Sequence, residues 1–206
     1  LPEDAFVCLW LGDGGPAERT GAALEAWGRL RQRCPGSQLV ILSHQAGGNG
    51  ELAAPDLYIA EGVRQSGPVE RATLYRYLAA GDVGLCLDTL PNGEAWASLL
   101  RLMSMGRPAI VLDNSAYSHL PGDGTLKITP GPGAMAQTVA ALWALGSHAP
   151  ARQWYGQRAA RFVQTEHALP VAAQRYIEFL EDLESVEEAD RLLYPTGTSP
   201  HATSGC

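Results

Sequence analysis

The sequence predicts an α/β fold: parallel strands in one central sheet, helices on both faces, and closing helices towards the C-terminus. Three observations carry that expectation. Short apolar runs alternate with stretches of helical periodicity through most of the 206 residues. The joints between them are rich in Gly, Pro and Asp, the residues that turn a chain. The run Ala109-Ile110-Val111-Leu112 is apolar without interruption, as in a parallel strand covered on both faces.

Each element follows in order. Ala5 to Leu11 reads as a strand closed by Gly12-Asp13-Gly14-Gly15. Glu18 to Arg33 reads as a helix, with Ala22, Ala23, Ala26, Trp27 and Leu30 at helical spacing. Gln38 to Leu42 is the next strand, His44 to Pro55 a loop, and Leu57 to Val63 a weak strand. Val69 to Ala79 is a helix and Asp82 to Leu87 a strand. Pro91-Asn92-Gly93 then turns the chain into a helix whose apolar face is Leu99, Leu100, Leu102 and Met103, ended by Gly106 before Pro108. Ala109 to Leu112 and Leu126 to Ile128 are strands, and Ala134 to Leu145, Ala151 to Gln164 and Val171 to Leu183 are helices. Repeated strand–helix alternation implies right-handed crossovers. Residues 185–206 read as a flexible tail after a single domain spanning 1–184.

Composition narrows the function. Hydrophobic residues make up 46% and charged residues 18%, enough apolar content for a sizeable core. A net charge of −7 excludes the broad basic face of a nucleic-acid binder, while leaving room for a local phosphate pocket. Cys8, Cys34, Cys86 and Cys206 show neither metal-ligand spacing nor a disulfide framework, and Cys8 and Cys86 read as small buried hydrophobes. No run approaches the ~18 apolar residues of a membrane span, and no signal-peptide pattern opens the chain. A cytoplasmic location is expected, with peripheral membrane association left open. The abrupt start in a strand suggests a domain cut from a longer protein.

The segment from Leu87 to Asp113 is where chemistry is expected. Open α/β sheets bind ligands beyond the carboxyl ends of their strands, at helix N-termini. Glu94 stands in such a first helical turn, either accepting hydrogen bonds from sugar hydroxyls or serving only as a favourable charge there. Ser98 lies one turn on, facing the cleft or bonding back to its helix. Arg101, seven residues past Glu94, falls on roughly the same face and suits a diphosphate, Glu94 itself, or solvent. Gly12 opens a strand-to-helix loop suited to phosphate approach, yet it fits neither GxGxxG nor a Walker loop, so a plain tight turn is an equal reading. Arg19, a cation in the first turn of the next helix, is either anion-facing or simply exposed. His44, His119, His148, His167 and His201 are scattered without partners, and no hydrolytic triad or metal set emerges.

Four blocks, LPEDAFVCLWLG, ERTGAALEAWGRLRQRCPGSQLVIL, GPVERATLYRYLAAGDVGLCLD and PNGEAWASLLRLMSMGRPAIVLDN, followed by HLPGDG, share an order and spacing with a known family. Together they resemble the C-terminal, donor-binding half of the group-1 retaining glycosyltransferases of GT-B type, enzymes with two facing Rossmann-like domains. The resemblance covers residues 1–184. It implies a Rossmann-like sheet and transfer of a sugar from a nucleotide diphosphate sugar to an acceptor. The acceptor would be held by an N-terminal domain that is not in this chain. No cofactor and no metal are implied beyond the nucleotide-sugar substrate. Donor binding is implied for Gly12, Arg19, Glu94, Ala95, Trp96, Ala97, Ser98 and Arg101, with the amides of Ala95 to Ser98 facing the diphosphate. Anchoring the last block on Gly106-Arg107-Pro108 sets Arg101 where the family carries its second glutamate. A non-catalytic interaction domain with the same fold is the second reading. A nucleotide-sugar epimerase is the third, and it requires acidic and histidine groups that the segment does not supply.

Overall fold

The computed structural model describes residues 4–11, 17–43, 61–87 and 93–193. The chain divides into two compact units, Leu1–Gln164 and Thr165–Cys206. In the first unit six strands form one sheet, β1 (Val7–Leu11), β2 (Gln38–Ser43), β3 (Val63–Pro68), β4 (Val83–Cys86), β5 (Ala109–Leu112) and β6 (Thr125–Ile128). Every pairing is parallel and the order is β3-β2-β1-β4-β5-β6. The helices are α1 (Ala17–Arg31), α2 (Arg71–Ala80), α3 (Gly93–Ser104), α4 (Ala134–Ser147) and α5 (Ala149–Glu166).

The two-residue period of the strands sorts the core into two layers. Val7, Leu9 and Leu11 of β1 share one layer with Leu78 of α2, Leu99, Leu102 and Met103 of α3, and Ala159 of α5. Cys8 and Trp10 face the other layer, with Trp27 and Leu30 of α1 and Leu142 and Leu145 of α4. All of β1 is therefore buried, which is why it reads as a continuous apolar run.

Two elements differ from the sequence expectation. The third strand starts at Val63, where it was expected to end, and the stretch 51–60 lies outside the described residues. Its sequence, Val-Arg-Gln-Ser-Gly-Pro, lacks an apolar run because β3 is the edge of the sheet, where polar residues and a terminal proline are tolerated. In the second unit, α6 (Leu169–Leu193) continues past Leu183, so residues 185–193 of the expected tail are helical. From Glu181 to Leu193 the chain is mostly Glu, Leu, Ala and Asp, and the first helix breaker is Pro195. Residues 194–206 lie outside the described residues. At the start of that unit, Arg175 binds the Glu166 carboxylate and donates to the Glu166 carbonyl at 3.0 Å.

The amino-terminal edge of the sheet is fastened by Asp82. Its Oδ2 accepts from the Val7 amide at 2.9 Å, and its Oδ1 lies 3.7 Å from Arg152 Nε. Arg152 also donates to the carbonyls of Leu145 and Gly146 at 2.6 and 3.2 Å, at the negative end of α4, and covers the Phe6 ring at 5.6 Å. One charged pair thus joins the feet of β1 and β4 to α4 and α5. Close by, α5 presses its backbone onto the stop of α3. Gly106 ends α3 with φ +74°, a conformation other residues rarely take, and a Cβ on Gly156 would overlap the Gly106 carbonyl oxygen.

Gly156→Ala is therefore expected to destabilise the chain by about 1–3 kcal/mol, because overpacking against backbone outweighs the helix-propensity gain. Gly28→Ala, at an exposed α1 position with nothing within 4 Å, is expected to stabilise it by about 0.5–1 kcal/mol. Urea denaturation of both variants measures the contrast, and equal effects would refute the contact.

Burial, reinforced by the nearby Asp82 charge, pushes the Cys8 thiol well above its ordinary value of 9.0. The native state holds this proton where the unfolded chain releases it, so stability is intact below pH 9 and falls as pH rises beyond about 9. Thiol labelling at pH 8 is expected to modify half-buried Cys34 readily and Cys8 only through unfolding. Rapid native labelling of Cys8 would contradict its burial.

Candidate functional site

The strand order reverses between β1 and β4. From β1 the chain moves outward through α1 to β2, and from β4 it moves the opposite way through α3 to β5. Their carboxyl ends are held side by side: Trp10 pairs with Leu85, and the Cys86 thiol donates to the Leu11 carbonyl at 3.3 Å. Doubly wound sheets take ligands at such a reversal, beyond the carboxyl ends of the strands. The N-termini of α1 and α3 both start from this edge, each bringing the positive end of a helix dipole.

The donor residues expected from the sequence fall into distinct places. Gly12 lies outside the described residues, as do the side chains of Arg19 and Glu94; the backbone puts Arg19 in the first turn of α1 and Glu94 second in α3. Ala95, Ser98, Leu99, Leu102 and Met103 form one buried stripe at helical spacing, each 0–1% exposed. Ser98 accordingly points into the layer beneath α3 rather than outwards. Trp96 and Ala97 are half-buried on the flanks of that stripe. A helix starting at Gly93 uses the amides of Ala97 and Ser98 in its own ladder, so those two are not available to a diphosphate.

Arg101 is placed apart from that first turn. It belongs to the last turn of α3, eight residues or about 12 Å along the axis from Gly93, and its guanidinium stands 5.9 Å from the Tyr75 ring of α2. Arg71 approaches the same ring at 5.8 Å. A hydrogen bond from Arg71, then the positive charges of Arg101 and Arg71, hold the Tyr75 hydroxyl below its ordinary value near 10.0.

Sequence reasoning did not single out the aromatic wall beside α3. Trp96 lies 5.8 Å from Tyr117 and 4.9 Å from His119 between ring centroids. Asn114 builds that wall: it caps the short 3-10 turn Ser115–Tyr117 by accepting from the Ala116 and Tyr117 amides at 3.0 and 3.3 Å. The Asp113-Asn114-Ser115 stretch was the available signal, since Asn before such a turn is a typical cap. Among the described residues no group of three or more His, Cys, Asp or Glu could hold a metal, and no helix is long and apolar enough to cross a membrane.

Trp96→Ala removes both ring contacts, each worth about 0.5–1.5 kcal/mol. It is expected to lower unfolding free energy by about 2 kcal/mol in urea titration. A loss below about 0.5 kcal/mol would show that the wall does not brace α3.

No protein-family model matches the chain, and no curated protein does. Solved structures do. Sucrose-phosphate synthase from Thermosynechococcus elongatus superposes with a TM-score of 0.69 at 16% identity, over 90% of this chain and 47% of that one. TarM of S. aureus, crystallised with fondaparinux, alpha-GlcNAc-glycerol and UDP, gives 0.68 at 10% identity, over 85% of this chain and 35% of that one. The C-terminal domain of a group-1 family glycosyl transferase, LpcC from Francisella tularensis, gives 0.61 at 14% identity, over 80% and 87%. The chain spans less than half the length of the two whole enzymes and most of the isolated domain. Its fold is that of the C-terminal, Rossmann-like domain of group-1 glycosyltransferases of GT-B type.

Proposed function

We propose that the chain is the donor-binding domain of a retaining glycosyltransferase that moves a sugar from a nucleotide diphosphate sugar to an acceptor. The observation that carries the reading is the reversal of strand order between β1 and β4, with α3 following β4 at that point, in a fold shared with glycosyltransferase C-terminal domains. In the proposed arrangement the diphosphate meets the first-turn amides of α3, and Glu94 accepts hydrogen bonds from donor hydroxyls. Amides fixed in a helix start are preorganised for the negative charge that grows on a departing diphosphate, and this needs no metal ion. Arg19, in the first turn of α1, would add a cation from the other side of that reversal. UDP in the TarM crystals supports a nucleoside diphosphate as the first ligand to try.

The acceptor site and any base would come from a further domain. That idea is supported by the share of the neighbours' length left uncovered, and by Tyr176, Ile177, Leu180 and Leu183 of α6, apolar, exposed and at helical spacing. The 206 residues by themselves are therefore expected to show negligible transferase turnover. Arg101, turned to Tyr75, favours the second reading, an interaction domain with the fold but without donor binding.

Calorimetric titration with UDP, GDP and ADP separates the two. One nucleotide is expected to bind in preference to the others, and Glu94→Ala is expected to weaken it by about 1–3 kcal/mol, the scale of a lost charged hydrogen bond. Absence of binding by all three at millimolar concentration would decide for the interaction domain, and an unchanged affinity would reduce Glu94 to a helix-start charge.

A further inference from the structure

The outer groove between α2 and α3 holds a charge arrangement that the donor reading leaves unused. Arg71 opens α2, Tyr75 follows one turn later, and Arg101 arrives from α3. The two guanidinium carbons lie 5.8 and 5.9 Å from one ring centroid, the outer limit of a useful cation–π contact. Ring attraction alone is therefore a weak reason for two cations to converge. Acids outnumber Lys and Arg by 22 to 15, and Arg29, Arg31, Arg152, Arg158 and Arg175 each have a carboxylate partner. Among the described residues Arg71 and Arg101 have none, and neither do Arg33, Arg64, Arg76 and Arg107; only Arg71 and Arg101 approach one ring together. Glu70, next to Arg71, is the N-cap of α2 and makes no side-chain cap bond; neighbours in sequence at a helix start do not face each other.

The three polar groups complement one another. Tyr75 adds a phenolic hydroxyl, which can donate as well as accept. Two guanidiniums brought from two helices to one phenol ring offer donors in several directions, which suits a tetrahedral oxyanion better than a planar carboxylate held by one fork. We propose that Arg71, Tyr75 and Arg101 form a binding site for a phosphoryl dianion in the α2–α3 groove. The site is separate from the first turn of α3, so it stands or falls independently of donor binding.

The test follows the arginine Nε–Hε NMR signals of the 206-residue chain during titration with inorganic phosphate at constant ionic strength, and separately with UDP. Phosphate is expected to saturate, with Arg71→Gln and Arg101→Gln each weakening it about tenfold and Tyr75→Phe about threefold. Arg29→Gln, at an arginine already paired with Glu25, is expected to leave it unchanged. If the two glutamine variants weaken phosphate alone, the site takes free phosphate. If they weaken UDP as well, its occupant is a phosphoryl group carried by a nucleotide. If phosphate saturates while UDP, GDP and ADP all fail to bind, the donor reading falls and this site stays in place. Lack of saturation by phosphate, or saturation indifferent to both glutamine variants in folded protein, overturns it.

Discussion

The parallel pairing of β1 with β4 is the constraint on which the rest of the first unit depends. Cys8, Leu9 and Trp10 lie opposite Val83, Gly84 and Leu85, and each of these six residues lies in the middle of the sheet, covered on both faces. Right-handed crossovers then oblige the two outward connections to leave on opposite faces, α1 on one and α3 on the other. The reversal of strand order at the carboxyl ends is the ligand position of doubly wound sheets, whatever residues line it. Layering follows too, since side chains alternating along β1 must find partners from α2 and α3 on one side and from α1 and α4 on the other.

The two edges of the sheet have been given different work. At the amino-terminal edge, Asp82 and Arg152 are only partly exposed, and their hydrogen bonds go to the Val7 amide and the last carbonyls of α4. A pair of this kind gains more from satisfying backbone groups than from its own attraction at 3.7 Å. Backbone-close contact between Gly156 and Gly106, and between Ala159 and Gly124, lets α5 lie hard against the same edge. Fixing the feet of the strands this firmly leaves the carboxyl-terminal edge available for loops and helix starts.

Much of this was legible in the sequence, for identifiable reasons. β1, β4 and β5 are buried on both faces and so announce themselves as apolar runs. The stop of α3 was legible because Gly106 must take a positive φ. β3 was displaced because an edge strand owes nothing to hydrophobic patterning. Arg101 was the harder case. Helical spacing relates it only to Glu94 on its own helix, whereas Tyr75 lies 26 positions earlier and meets it because α2 and α3 pack side by side. Long-range side-chain pairing of that sort leaves no periodic trace. Ser98, by contrast, was decidable: Ala95, Leu99, Leu102 and Met103 define a stripe that already includes it.

That stripe also bears on how a divergent chain can keep a binding mode. Identities of 10–16% to glycosyltransferase domains mean that few side chains are shared, so any common chemistry must rest on parts that substitution does not easily alter. First-turn amides are such parts. Their direction is set by the axis of α3, and that axis is set by Ala95, Ser98, Leu99, Leu102 and Met103 packing on the sheet. An exchange such as glutamate for arginine at position 101 changes the electrostatics of the α2–α3 groove without moving the helix. On the two proposals made above, anion recognition at the start of α3 and at Arg71, Tyr75 and Arg101 would vary separately, since the packing of α3 fixes the first alone.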